Sequence, residues 1–146
     1  MVDVSQKNIT DREATAKATV EVGPKIAQLI KANNMSKGDV LSIAQLAGIM
    51  GAKKTSEIIP LCHNIFLSSV KVNAILDEAN NSVNIMATVR CTGKTGVEME
   101  ALTACSIAAL TVYDMCKAVS HEIVIKDVRL CEKSGGKRYF KHNNDL

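Results

Sequence analysis

The strongest constraint on the fold is a pair of alternating segments joined by a short polar turn. In residues 70–76 and again in residues 83–91, every second residue is apolar. Residues 77–82, between them, contain the Asp and Asn side chains that favour turns. Because successive side chains of a strand point to opposite faces, the pattern predicts a β-hairpin with one buried face. The fold must therefore contain an antiparallel sheet that is covered on one side.

The segment before the hairpin predicts one strand and two helices. Residues 14–22 alternate between small apolar and polar side chains, which indicates a half-buried strand. Pro24 suits the first turn of a helix. Asp39 suits the N-cap of a second helix over residues 40–50, which is apolar on most sides and should be buried.

A long helix and a last strand are predicted after the hairpin. The helix extends from residue 96 to about residue 119 and contains a charge-free run of thirteen residues, 101–113, which is too short to span a bilayer. The strand over residues 123–132 changes register near residues 126–127, as a β-bulge would cause. The order of elements predicts an α+β fold, the ferredoxin-like β-α-β-β-α-β arrangement, with an extra helix in the first crossover.

The length of 146 residues predicts a single domain over residues 1–146, with an N-terminal arm over residues 1–13 and a polar tail over residues 138–146. In a fold of this kind the helices cover one face of the antiparallel sheet. Because Val, Ile and Ala are abundant in the strands, we expect another subunit to cover the second face.

Composition limits the setting and the partners. The five cysteines form no Cys-x-x-Cys pair, which favours free thiols in a reducing compartment. The N-terminal residues lack the apolar segment of a secretory signal. These features predict a cytoplasmic protein with no membrane partner. The net charge of +3 is too small to indicate a nucleic-acid partner.

The segment TGKTGVEME, residues 92–100, resembles part of a phosphate-binding loop but lacks its first glycine. A P-loop has the pattern Gly-x-x-x-x-Gly-Lys-Ser/Thr, and the first glycine would fall at Thr88, inside a predicted strand. Thr95 and Glu98 instead fit a capping box for the long helix. The cap does not account for Glu100, and the start of a helix attracts anions.

Asp114 and Lys117 are three residues apart on the long helix and therefore share a face. They are either a solvated ion pair or an acid/base couple in which the lysine keeps the carboxylate ionised. Glu100 precedes Asp114 by fourteen residues, which separates the two by roughly 21 Å along the helix axis. Both can serve one site only if it spans a long ligand or combines residues of two chains.

Two loops also carry residues that could bind a ligand. Cys62 and His63 are adjacent, so in a strand they would point to opposite faces, and the sequence has no second pair with zinc spacing. His63 is either a loop histidine with a hydrogen bond or a ligand contact. The Ser-Gly-Gly-Lys segment at residues 134–137 could form an anion-binding nest.

Six segments, in order along the chain, together resemble one known family: KGDV, AGIMGAKKT, IPLCH, TGKTGVEMEALTA, LTVYDMCKAV and VRLCEKSGGK. They are similar to the MoaC family of molybdenum-cofactor biosynthesis, the cyclic pyranopterin monophosphate synthases, from about Arg12 to Lys137. The resemblance implies a homo-oligomer, a hexamer built as a trimer of dimers, with active sites at subunit interfaces. It also implies a lyase that converts 3′,8-cyclo-dihydro-GTP, made by a radical GTP-cyclising enzyme, into cyclic pyranopterin monophosphate and pyrophosphate.

The resemblance implies a role for each matched residue. Asp114 would be the general acid/base, Lys117 its partner and Lys37 a second essential lysine. Arg12, on the arm, would fold over a site and hold phosphate. The full set of substrate-binding residues that it implies is Leu61, Cys62, His63, Glu98, Met99, Glu100, Arg12, Lys53 and Lys137. No metal site and no resident cofactor are implied, although Mg²⁺ could accompany the substrate triphosphate.

Three other functions remain open from the sequence. A regulatory module of this fold could bind a small effector, since fold does not determine function; it would not need Asp114 and Lys117 together. An RNA-binding domain of this topology would need aromatic residues on its strands, and only Phe66 is available. A structural oligomer would have no site at all.

Overall fold

The predicted alternation builds a five-stranded sheet. The structure, a computed structural model, describes residues 1–143 and contains five strands and four helices in that range. The strands are β1 (Thr10–Glu21), β2 (Leu67–Asp77), β3 (Ser82–Gly93), β4 (Val124–Ser134) and β5 (Phe140–Lys141). The helices are α1 (Gly23–Lys31), α2 (Val40–Lys53), α3 (Thr55–Ile58) and α4 (Glu98–Cys116).

The sheet is antiparallel throughout, with the strand order β2-β3-β1-β4-β5. The predicted hairpin is β2 and β3, and β1 lies between β3 and β4. β1 and β2 therefore run parallel with β3 between them, as in a split βαβ unit. The predicted α+β, ferredoxin-like fold class is confirmed, including the additional helix between β1 and β2.

The predicted bulge in the last strand is also present. The register between β1 and β4 shifts between Lys17 and Thr19. Asp127, opposite this shift, has a φ of 56°, a left-handed conformation that a regular strand does not use. The register shifts a second time between Thr15 and Ala16, and the two shifts together align Lys133 with Ala14 near the start of β1.

Small residues let the helices approach the sheet and each other closely. The buried face of α4 is made of residues such as Ala101, Ala104, Cys105 and Ala108, none of which is exposed. α2 packs beside α4 and begins at the predicted N-cap, where Asp39 Oδ1 accepts a hydrogen bond from the Ser42 amide at 3.1 Å. The 19 residues of α4 are long and apolar enough to span a bilayer by length and composition. Its burial on the sheet is that of a core helix.

The second face of the sheet is mostly polar. Glu13 forms an ion pair with Arg90, and the hydroxyl groups of Thr15 and Thr88 are 2.9 Å apart. The Val, Ile and Ala side chains of β1 and β3 point towards the helices instead. Most of the apolar strand residues thus lie on the face that the helices cover, although Ile75 and Met86 are 65% and 48% exposed in their strands. The cover of the second face by another subunit stays a prediction.

The two predicted chain ends differ from the structure. β1 begins at Thr10, so the arm is residues 1–9, and Arg12 lies within a strand rather than on the arm. Within the predicted tail, Phe140 and Lys141 form β5 against β4. The rest of the tail, residues 144–146, lies outside the described residues.

The structure does not favour RNA binding through the sheet. Phe66 lies in the loop before β2 rather than in a strand. β1 to β4, all within the part of the chain that the structure describes, contain no aromatic residue. The sheet therefore lacks the stacking surface that such domains use.

Substitution of Gly48 tests the close packing of α2 against α4 and the sheet. A β-carbon at this position would lie 2.9 Å from the Ala104 carbonyl oxygen and 3.0 Å from Val72 Cγ1. In most helices Gly→Ala is stabilising, but here the backbone oxygen cannot move away cheaply. We expect Gly48→Ala to lower the free energy of unfolding by about 1–3 kcal/mol in urea titrations. Leu46→Ala, on the exposed face of the same helix, should change it by no more than about 0.5 kcal/mol. Equal effects of the two substitutions would contradict this account of the packing.

Candidate active site

The candidate functional side chains form two clusters at opposite ends of α4. The C-terminal cluster consists of Lys37, Asp114 and Lys117. The N-terminal cluster consists of Arg12, Glu98, Glu100, Lys133 and Lys137. α4 is a single uninterrupted helix, so the separation of roughly 21 Å along its axis between Glu100 and Asp114 holds in the structure.

In the C-terminal cluster, two lysines hold one carboxylate. Lys37 Nζ donates to Asp114 Oδ2 at 2.9 Å and to the Asp114 carbonyl oxygen at 3.3 Å. Lys117 Nζ lies 3.1 Å from Asp114 Oδ1. Lys37 comes from the loop between α1 and α2, which turns through Gly38 at a φ of 109°. The three residues predicted to be catalytic are thus in direct contact, and each remains about half exposed.

The two lysines also set the charge of Asp114. Hydrogen bonds from Lys37 and then from Lys117, together with their positive charges, lower the pKa of the Asp114 carboxyl group. The carboxylate is therefore ionised near neutral pH and can accept a proton, while the neighbouring ammonium groups can donate one.

The titration of Asp114 offers a direct check of this cluster. We expect its pKa, followed by carboxyl-carbon NMR, to lie below the usual value for aspartate and to rise in Lys37→Met and in Lys117→Met. Asp77 is the internal reference, because its pKa is lowered by Asn80 rather than by a lysine. An Asp114 titration that neither substitution moves would show that the two contacts are not maintained in solution.

In the N-terminal cluster, the predicted capping box is wrong. The N-cap residue of α4 is Val97, and no side chain caps the helix there. The Glu98 carboxylate does not reach back to Thr95; Lys133 Nζ donates to its Oε1 at 2.8 Å. Glu98 pairs with Lys133 on β4 rather than with the Thr95 amide, because a charge-assisted hydrogen bond is stronger than one to a neutral amide.

The pKa values of the two glutamates of the first turn are shifted in opposite directions. Burial raises the pKa of Glu98, but Lys133, the Glu98 amide and Arg12 outweigh it and lower that pKa overall. Glu100 is only 4% exposed. Burial, with a further contribution from the charge of Glu98, raises the pKa of Glu100. Glu98 is thus the ionised member of the pair, and Glu100 binds a proton more readily than an ordinary glutamate.

Glu100 faces two cysteine thiols. Partial burial, and then the charge of Glu100, raises the pKa of Cys62. Burial likewise raises the pKa of Cys91, which the positive charge of Arg12 opposes. Both side chains are therefore thiols rather than thiolates near neutral pH, so they act as uncharged contacts and not as nucleophiles.

Arg12 is buried beneath the Ser-Gly-Gly-Lys loop. Its Nε donates to the Gly93 carbonyl oxygen at 2.9 Å, and its side chain is largely shielded from solvent. Gly135 and Gly136 have φ values of 89° and 71°. A β-carbon at Gly136 would collide with the Arg12 guanidinium. The two glycines therefore let the loop cross directly over Arg12 and bring Lys137 to the same place.

The loop, the arm and the start of α4 enclose a basic cavity of about 200 Å³. Glu98 is its acidic residue. Its basic residues are Lys7, Arg12, Lys133, Lys137 and Arg138. This excess of positive charge at the beginning of a helix suits a phosphate group.

The arm contacts one of the predicted ligand-binding residues. His63 Nε2 lies 2.6 Å from the Val2 carbonyl oxygen, so the histidine has the hydrogen bond expected of a loop residue. Lys94 Nζ donates to the Ser5 carbonyl oxygen at 3.1 Å. Leu61 is 70% exposed and Met99 is 39% exposed, so both side chains are available to a ligand or to another chain.

The structure does not bring Lys53 to the basic cavity. It lines a different depression of about 460 Å³ with Phe66 and Leu67, between the end of α2 and the start of β2. Sequence reasoning, conversely, assigned no role to Lys7, Lys133 or Arg138. Lys133 lies within the motif VRLCEKSGGK and at the end of a predicted strand, where most lysines are solvated. The signal for Arg138 was the basic composition of residues 133–138, which short Gly-rich loops often share.

No metal centre is evident. Within residues 1–143, no group of three or more His, Cys, Asp or Glu side chains is arranged to hold a metal ion. The cysteines at positions 62, 91, 105, 116 and 131, all within the described residues, form no disulfide.

An α+β domain with a basic cavity and a glutamate of raised pKa at one end of its central helix, and a lysine-held aspartate at the other, has the groups expected of an enzyme that acts on an anionic substrate. Comparison with known proteins identifies the family: residues 1–136 match the MoaC family, and the chain belongs to that family.

The relatives of this chain carry related names. It is 67% identical over 141 residues to molybdenum cofactor biosynthesis protein 1 of Drosophila melanogaster, which covers 97% of this chain and 25% of the fly protein. It is 58% identical over 137 residues to cyclic pyranopterin monophosphate synthase of Chloroflexus aggregans, covering 94% and 83%. It is 51% identical over 138 residues to molybdenum cofactor biosynthesis protein 1 of Homo sapiens, covering 94% and 22%. The chain thus spans most of the bacterial protein but a quarter or less of the two animal proteins.

Proposed function

We propose that this chain converts 3′,8-cyclo-dihydro-GTP into cyclic pyranopterin monophosphate with release of pyrophosphate, as a lyase of molybdenum-cofactor biosynthesis. The observation that carries the proposal is the contact of Asp114 with both Lys37 and Lys117. A proton acceptor between two proton donors suits a reaction that opens a purine-derived ring and closes a pterin, because each ring step moves protons between nitrogen, carbon and oxygen.

The C-terminal cluster would carry out the proton transfers. Asp114 is held ionised, so it accepts a proton from a substrate N–H or O–H group. Lys37 and Lys117 each hold a proton beside it and can return one to the group that leaves in the ring-opening step. They also stabilise negative charge on a substrate oxygen.

The N-terminal cluster would bind the triphosphate. A sugar hydroxyl attacks the α-phosphorus, and the bond from this phosphorus to the pyrophosphate oxygen breaks. Negative charge grows on the departing pyrophosphate, and Arg12 and Lys137 lie where they can stabilise it. Arg12 is suited to the role because its guanidinium is already oriented by Gly93 and by the loop above it. Mg²⁺ bound to the triphosphate would add charge in the same place.

One chain cannot place both clusters on one nucleotide-sized reaction centre, because α4 keeps them roughly 21 Å apart. The proposed site therefore combines the C-terminal cluster of one chain with the N-terminal cluster of another. A homo-oligomer, in the form of a hexamer built as a trimer of dimers, would supply several such interfaces. Leu61 and Met99, whose side chains are exposed, would then contact substrate or the neighbouring chain.

The proposal also sets the context of the enzyme. Its substrate is a product of radical chemistry on GTP, so a radical GTP-cyclising enzyme would act immediately before it. The absence of disulfides among the described cysteines suits a reducing compartment, and the proposed location is the cytoplasm.

Turnover of 3′,8-cyclo-dihydro-GTP tests the function. We expect the wild-type protein to release pyrophosphate and to form the pterin. Asp114→Asn should lose at least roughly a hundred-fold in kcat, the lower range for removal of a general acid/base. Its oligomeric state, measured by light scattering, should be unchanged, because Asp114 is exposed and not part of the core. Tight binding without turnover by the wild-type protein would instead indicate an effector-binding module.

Mixed oligomers test the sharing of the site between chains. Asp114→Asn and Glu100→Gln each inactivate a different half of the proposed site, so neither homo-oligomer should be active. When the two are unfolded, mixed and refolded together, some interfaces would receive one intact copy of each cluster and recover activity. The matched control is each single variant unfolded and refolded by itself, which should stay inactive. No recovery in oligomers shown by mass spectrometry to contain both variants would contradict a shared site.

A further inference from the structure

We propose that Lys133 is a positioning residue, which holds Glu98 in place as the hydrogen-bond acceptor for an N–H or O–H group of the substrate and prevents this carboxylate from repelling the phosphates. The inference rests on the proposed function. It assigns a role to Lys133, which lies in the motif VRLCEKSGGK but was given no role of its own from the sequence.

The contact between the two side chains is shielded from water. Lys133 Nζ and Glu98 Oε1 are 2.8 Å apart, and the two side chains are 30% and 28% exposed. A second ion pair of the same strand, Lys126 with Glu21, is 45% exposed on both sides and lies at the other end of β4. Because shielding from solvent strengthens the attraction between charges, the Lys133 pair is the better able to fix a side chain.

Both partners are attached to rigid backbone. Lys133 lies in β4 and pairs with Ala14 on one side and with Phe140 on the other. Glu98 is the first residue of α4, and its carboxylate also accepts from its own amide. The carboxylate folds back over Gly96, where a β-carbon would displace it. The carboxylate thus has one defined location, at the wall of the basic cavity.

The chemistry of the cavity explains why such a partner is needed. Glu98 is its acidic lining residue, beside Arg12 and Lys137. An unpaired carboxylate there would oppose the binding of a triphosphate and would lose its charge more easily in a partly buried place. With Lys133 against it, Glu98 keeps its charge locally balanced, and the other cationic residues remain for the phosphates.

The test compares three variants by the pH dependence of kcat/KM. In Lys133→Met, which keeps the length and removes the charge, the acid limb should move to higher pH, so that kcat/KM falls at pH values below the new limb. Lys133→Arg keeps the charge and should restore most of the activity and the original limb. Lys126→Met removes the other ion pair of β4, and its profile should coincide with that of the wild type.

A second set of measurements separates positioning from direct phosphate binding. Glu98→Gln has no carboxylate to hold, so adding Lys133→Met to it should change kcat/KM by less than about two-fold, since the two residues act as a unit. Equal losses in both backgrounds, with an unmoved acid limb in Lys133→Met, would overturn the inference and make Lys133 a phosphate ligand.

The titration of Glu98, followed by carboxyl-carbon NMR, provides a readout independent of turnover. We expect its pKa to rise in Lys133→Met and to stay unchanged in Lys126→Met. An active wild-type enzyme in which Lys133→Met leaves this titration unmoved would overturn the positioning role alone. A wild-type protein without turnover would overturn the proposed function, and the catalytic part of this inference with it, even if the titration moved.

Discussion

The close packing of α4 on the sheet is the constraint on which the other features depend. The buried face of the helix is made almost entirely of alanine, cysteine and valine, and α2 meets it through glycines at positions 48 and 51. Side chains this small let the backbones approach, so the helix is held along its length. A helix fixed in this way cannot tilt or slide to bring its two ends to one ligand. The distance between the two charged clusters is therefore a property of the core.

Because α4 is fixed in place, other elements of the chain supply the remaining charged residues of each cluster. At the C-terminal end, the helix supplies Asp114 and Lys117, and Lys37 arrives from the loop before α2. At the N-terminal end, the helix supplies Glu98 and Glu100, while β1, β4 and the loop after β4 supply the cations. In each cluster, opposite charges from other parts of the chain pair with those of the helix. The C-terminal cluster has the lysine-held aspartate but no phosphate site, and the N-terminal cluster has the basic cavity but no such aspartate. In the proposed function, the second chain supplies what the rigid helix cannot.

The features that followed from local patterns were predictable, and those that depended on a distant partner were not. Alternation located β1, β2 and β3, the change of phase located the bulge at Asp127, and the Asp39 cap followed from its position before an apolar run. The capping box failed because Lys133, 35 residues away in sequence, takes the Glu98 carboxylate. Spacing alone gives no measure of such competition between a local and a tertiary partner.

The two faces of the sheet follow from the phase of the same alternation. Most apolar strand residues lie on the helix side, although Ile75 and Met86 are exposed. Alternation places Ala14, Ala16 and Ala18 all on the helix side, and it leaves Glu13 and Thr15 on the other. Arg12 has the same phase as the alanines, so extending the alternation by one residue pair would have placed it in the strand and beneath the loop. The resemblance selected Arg12, and the phase of the strand accounts for its burial.

The pair of glutamates at the start of α4 shows how one helical turn can shift the pKa values of two carboxyl groups in opposite directions. Two like charges so close together disfavour double ionisation, and the surroundings decide which group keeps the proton. Lys133 and Arg12 favour the ionised form of Glu98, whereas burial beside Cys62 and Cys91 favours the protonated form of Glu100. Environments that separate the pKa values of neighbouring groups define an acid and a base. In a site shared between chains, the Glu100 end would provide a proton donor opposite the Asp114 acceptor, and a ring that opens on one side and closes on the other needs both.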